Sequence, residues 1–218
     1  MMSGVLSPMF LQSAGRAGKE QNNKIILKFT NDNPILAEVN CDGEIKVEST
    51  KSGQRIVATY SNLEDSTVSI QADANTEIKI TGNVNGLAIF GEGNTQDLAS
   101  YDFSRCYSLI LLDMEDLGIN EFDATRIPSI ERLSLLNCAD LEKIILPNSL
   151  VYFSATGSES LKEIKYAATN EDVSTAIADA ITNATAADGT VDTDSEGAYY
   201  STIADAATAK GWTIEQIA

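Results

Sequence analysis

The chain has 218 residues, room for one or two domains with a real core, and is 43% hydrophobic and 22% charged. Against 15 Lys and Arg stand 32 Asp and Glu, a net charge of -17. So acidic a balance excludes nucleic acid and anionic lipid as partners, since both need basic neutralisation, and no run of 18 apolar residues offers a membrane span.

Residues 1–23 read as an N-terminal arm, rich in Gly, Ser, Gln and Asn, with apolar anchors at Val5, Leu6, Met9, Phe10 and Leu11. Two readings stand side by side: a frayed terminus, or a segment that orders on a partner. No Lys or Arg precedes Val5, and Ser7 and Pro8 interrupt the apolar patch, so the stretch lacks the form of an export signal.

From Lys24 the pattern changes to short runs with two-residue alternation: "KIILKFT", "ILAEVN", "EIKVEST", "QRIVATY", "STVSIQA" and "EIKITG". Turn signals such as "NDNP", "KSG" and "NLED" separate them, and Asp42-Gly43 reads as a hairpin turn. A small antiparallel β unit over 24–83 is expected.

Over 84–166 the chain repeats itself. Leu109, Leu112 and Met114 recur as Ile130, Leu133 and Leu135, and again as Leu150, Phe153 and Ala155. A second pair travels with them: Leu98/Tyr101, Ile119/Phe122, Leu141/Ile144 and Leu161/Ile164. Leu87 and Phe90 begin the first copy, and Ser108, Ser129 and Ser149 each precede a leading apolar residue. A period near 20 residues is too short for a unit to bury its own apolar face, so stacked coils sharing one core are the expected solution. Unrelated strands of a β-sandwich are the competing reading. The predicted repeat core is Leu109, Leu112, Ile130, Leu133, Leu135, Leu150 and Phe153.

"IERLSLLNCADLEKIILP" (130–147) resembles the leucine-rich repeat family, with Cys138 near the position that family gives to Asn or Cys. "LEKIILPNSL" (141–150) is similar to the divergent repeats of gut Bacteroidetes. Leu117 and Ser158 depart from the Asn/Cys position. The resemblance implies a short leucine-rich-repeat-like solenoid.

After Tyr166 the period turns helical. Val173, Ile177, Ala180, Ile181 and Ala184 form one stripe, Asn170 is the expected N-cap, and Gly211 is expected to end a second helix beginning near Ala198. A polar loop, "ADGTVDTDSEG", joins the helices, and "WTIEQIA" can add a last strand. The predicted fold class is therefore mainly β with an α+β C-terminal cap over 167–218.

Candidate chemistry is sparse. The chain has no His, which removes the commonest general base and the usual zinc ligand. "GEGN" (91–94) is not a phosphate loop, and Cys41, Cys106 and Cys138 sit among apolar neighbours without metal spacing, as core residues of a protein folded in a reducing compartment. Asp192, Asp194 and Glu196 alternate like half a calcium loop, but position twelve would be Ile203, so a solvated turn is the simpler reading. No catalytic residue, metal or cofactor is expected.

The ending "ATAKGWTIEQIA" also resembles the C-termini of repeat proteins from Bacteroidetes phages and prophages. That likeness implies a non-enzymatic virion structural protein: a head-decoration, head-fibre or tail-associated subunit assembled in the host cytoplasm. Its implied partners are other virion proteins through the arm, further copies of itself in a homo-oligomer, and a host-surface protein or glycan. A bacterial cell-surface or secreted adhesin is the alternative, with an intracellular scaffold third.

Overall fold

The computed structural model describes residues 23–91 and 96–217. It is mainly β, with two α-helices near the C-terminal end, as the sequence predicts. Strands β1 (Lys24–Phe29), β2 (Ile35–Lys51), β3 (Gln54–Ser61) and β4 (Ser66–Ile70) form an antiparallel unit with the first part of β5 (Ile78–Phe90). Strict alternation builds it: β1 buries Ile25, Leu27 and Phe29, and β2 buries Ile35, Ala37 and Val39, then Ile45 and Val47.

One expectation fails here. Asp42-Gly43 does not turn a hairpin; β2 runs through it and pairs with β5 on both sides. The turn lies at Ser52-Gly53, with φ of 53° and 72°, and folds β3 back on β2 so that Gln54 faces Lys51. Asp42-Gly43 instead marks a bulge, where the register against β5 shifts between Asp42 and Lys46. Across from it Gly82 has φ 118°, and a Cβ there would stand 2.5 Å from the Glu44 carbonyl oxygen. The physical reason is that β4, β5 and β3 hold β2 along its length, so local turn chemistry yields to the sheet.

Strand β5 runs across residue 83 and changes partner. Its residues 86–90 pair in parallel with β7 (Leu111–Glu115), which pairs with β10 (Arg132–Leu136), which pairs with β12 (Tyr152–Ser154). Leu87, Leu112, Leu133 and Phe153 are direct cross-strand neighbours in this first ladder. A second parallel ladder joins β9 (Glu121–Asp123), β11 (Lys143–Ile145), β13 (Glu163–Lys165), β14 (Thr190–Thr193) and β15 (Thr213–Gln216). Its central row is Phe122, Ile144, Ile164, Val191 and Ile214. On the far side of β1, β6 (Gln96–Arg105) pairs with β1 and with the short β8 (Leu117–Gly118).

From β7 to β13 the chain alternates between the two ladders, apart from the short β8. All seven predicted repeat-core residues are buried, and they join the rest of the apolar interior in one continuous cluster. At about 1.5–3 kcal/mol for each fully buried large side chain, these rows are the main stabilising contribution. Polar corners lock the coils. Ser108, Ser129 and Ser149 donate to the carbonyl oxygens of Val84, Tyr107 and Ile130, at 2.9, 2.7 and 2.9 Å, so each ties its coil to the preceding one. Ser158 Oγ accepts from the Cys138 N–H at 3.1 Å and donates to the Leu135 carbonyl at 2.8 Å, satisfying backbone groups that would otherwise be buried unpaired.

Past Tyr166, α1 (Glu171–Asn183) begins where Asn170 Oδ1 accepts from Val173 N at 3.1 Å, and it buries Val173, Ile177 and Ile181. It packs against β12 and against α2 (Tyr200–Lys210), which Gly211 ends with φ 85°. The expected polar loop contains a strand, β14, because Val191 turns inward between Ile164 and Ile214. Trp212 is buried and donates Nε1–H to the Ala186 carbonyl at 2.9 Å.

Candidate functional site

Inward rows of the first ladder are apolar; its outward rows are not. Two of them run across the sheet from β2 to β12: Asn40, Gly86, Leu111, Arg132, Tyr152, and beside it Glu38, Ala88, Asp113, Ser134, Ser154. Small side chains at Gly86, Ala88 and Ser134 leave a hollow between larger ones. The result is a cleft of about 360 Å³, rimmed by Glu38, Asp65, Leu136 and Tyr152. That size is within the range of small-molecule and side-chain pockets.

Asp113 is the unusual member. It is 8% exposed, and its Oδ1 has no hydrogen-bond partner among the described residues. Burial pushes its carboxyl up to about 6; Glu115 and Glu38 push the same way, against a hydrogen bond from Ser134. A buried carboxylate without a cation is costly in a fold that gains nothing from it. The cation of the cleft is engaged elsewhere: the Arg132 guanidinium lies 4.6 Å from the Tyr152 ring centroid and makes no ion pair among the described residues. Tyr152 itself is 41% exposed. At the rim, Asn40 Nδ2 donates to Asp65 Oδ1 at 2.9 Å, and Asp65 N–H donates back to Asn40 Oδ1 at 2.6 Å.

The arrangement has the parts of a binding site: a carboxylate held ready, an aromatic face and an apolar wall. The nucleophiles that the fold does bury lie elsewhere. Cys106 and Cys138 are free thiols pushed up to about 11 by burial, and Cys41 is likewise buried in the core. In the stretch expected to be a solvated turn, Asp192 sits in β14 and Asp194 Oδ1 accepts from the Glu196 N–H at 2.9 Å. Among the described residues, no group of three acidic or thiol side chains is placed to hold a metal. The predicted arm residues Val5, Leu6, Met9, Phe10 and Leu11 lie outside the described residues.

Sequence reasoning passed over Glu38, Asp113, Arg132 and Tyr152. A signal existed: once the copies are aligned, Asp113 stands in a column whose later members, Ser134 and Ser154, are small and neutral, whereas Ala88 joins it only in the structure, where Leu87 rather than Phe90 lies opposite Leu112. Comparison with protein-family models, curated proteins and solved structures finds no match.

Proposed function

We propose that this protein is a non-enzymatic binding module, in which a short leucine-rich-repeat-like solenoid presents its outer strand face to a protein or glycan. The in-register rows of the two parallel ladders support the solenoid reading, with 24–83 as the preceding β unit and 167–218 as the cap over its end. The observation that carries the binding role is the buried Asp113 carboxylate in the cleft on that face, with one oxygen unpartnered among the described residues.

In this reading the protein is a virion structural subunit, displayed as a homo-oligomer and attached to other virion proteins through its N-terminal arm. The repeat signature and the phage-like ending support that placement. A cell-surface adhesin carries the same binding face in another setting.

The deletion that tests attachment must stop short of Asn23. That residue is buried, donates to Asn83 Oδ1 at 2.6 Å and accepts from the Tyr107 N–H at 3.0 Å, so it belongs to the fold. Full-length protein should sediment with phage particles on a density gradient, and a folded variant lacking residues 1–22 should stay at the top. Normal co-sedimentation of the truncated variant would remove the arm as anchor, and absence of the full chain from particles would turn the reading toward the adhesin.

A further inference from the structure

We propose that the cleft receives a basic side chain, an arginine or lysine of a partner polypeptide, with the Asp113 carboxylate as the group that meets its charge. The inference rests on the reading of the outer strand face as the ligand surface.

Charge selects the ligand class. The cleft holds Glu38, Asp65 and Asp113 against the single guanidinium of Arg132, which is already stacked on Tyr152. An anionic ligand would meet three carboxylates and is repelled. A neutral saccharide can donate hydrogen bonds to Asp113 but leaves its charge uncompensated in a buried place. A guanidinium or ammonium group does both, donating to the Asp113 carboxylate that lines the cleft and neutralising its charge.

Shape agrees with charge. Leu111, Leu136 and the exposed Tyr152 ring offer an apolar wall for the methylene stem of a long basic side chain. The surrounding face is an open sheet surface, which leaves room for the backbone that carries such a side chain. At longer range the -17 charge of the chain draws a basic partner and keeps acidic ones away.

The test is a ¹H–¹⁵N correlation titration of the full chain at pH 7.5. The probes are acetyl-Gly-Arg-Gly-amide, its lysine and citrulline counterparts, and the neutral disaccharides maltose and lactose. The arginine and lysine peptides should give saturable shifts centred on the amides of Ala88, Asp113, Ser134 and Tyr152. Affinity should fall at least about 5-fold for citrulline and for Asp113→Asn, whose fold is checked by its melting curve. Asp140→Asn makes the same charge change at an exposed residue outside the cleft and should bind like the parent. Binding should also weaken at pH 5, where Asp113 takes up a proton, its carboxyl raised first by burial and then by Glu115 on β7 and Glu38 on β2; Asp65 and Arg132 on β10 are the other charged groups of the cleft. Equal shifts from the citrulline peptide, or undiminished binding by Asp113→Asn, would overturn the charge assignment while keeping the face as a ligand surface. So would saccharides moving these amides where the basic peptides do not. If none of the probes moves any amide of this face, the binding-face reading fails with it.

Discussion

The two parallel ladders are built from the same coils, yet their outer faces treat charge in opposite ways. On the second ladder, Glu121, Lys143 and Glu163 are cross-strand neighbours, so signs alternate along the row. Lys143 Nζ lies 2.7 Å from Glu163 Oε1, and this hydrogen bond, with help from Glu163, Glu121 and Asp192 charges, holds the lysine above its ordinary range. One coil corner away, Lys162 and Glu142 also meet at 2.7 Å. On the first ladder, Asp113 has Ala88 and Ser134 beside it and Glu38 and Glu115 nearby, and no cation among the described residues answers it. The shared inner rows show what the fold needs. The unmatched outer row shows what the fold tolerates, and a tolerated cost of this kind supports the proposed ligand face.

The comparison breaks first if the inner rows are not equivalent. Leu133→Ala on the first ladder and Ile144→Ala on the second each open a cavity at a fully buried position. Each should cost roughly 2–5 kcal/mol in denaturant unfolding, with the two values close together. A cost under about 1 kcal/mol for either would mean that its row does not share the common core.

Next in size comes the outer row of the first ladder, and its sign is reversed. Unfolded, Asp113 ionises near the ordinary 3.8; folded, near 6. The native state therefore holds the proton more tightly. The stability this contributes is complete below about pH 4 and is lost as pH rises through 6. Asparagine keeps an oxygen for the Ser134 hydroxyl and carries no charge. Asp113→Asn should thus be more stable than the parent by roughly 2–3 kcal/mol at pH 7.5, with the gain shrinking toward zero near pH 3.5. Urea melts at the two pH values read this directly; a loss of stability at pH 7.5 would show that the carboxylate has a compensating partner.

These contrasts also show what could be read from the sequence. The repeat was legible because its period is carried by large apolar residues, and Leu112, Leu133 and Phe153 fall in one row as that period requires. Strand β14 was not, since its inward residues are Val191 and the polar Thr193, and four residues with one apolar side chain look like the polar loop around them. Asp42-Gly43 misled because a two-residue signal reports local preference, while the conformation there is set by three partner strands. Asp113 was hidden for a deeper reason. In "LLDME" it occupies an ordinary outward strand position, and the cleft around it is lined by residues of other strands, Glu38 and Ser134 among them, which no local window joins.

The smallest effect is the one that sharpens the comparison most. Lys143→Met removes the cation between Glu121 and Glu163 on the second ladder, where both partners are about one-third exposed or more. Surface pairs of this kind are screened by water and lose side-chain entropy, so the cost should be under about 1 kcal/mol at low salt and smaller still at about 0.5 M NaCl. The sign carries the argument. Deleting a charge should weaken the second ladder slightly and strengthen the first, although both substitutions act on outward positions of neighbouring coils. Thermal melts of Lys143→Met and Asp113→Asn at pH 7.5 place the two side by side. If both moved the melting temperature in the same direction, charge imbalance would not distinguish the faces, and the cleft would lose its claim to be the exceptional surface.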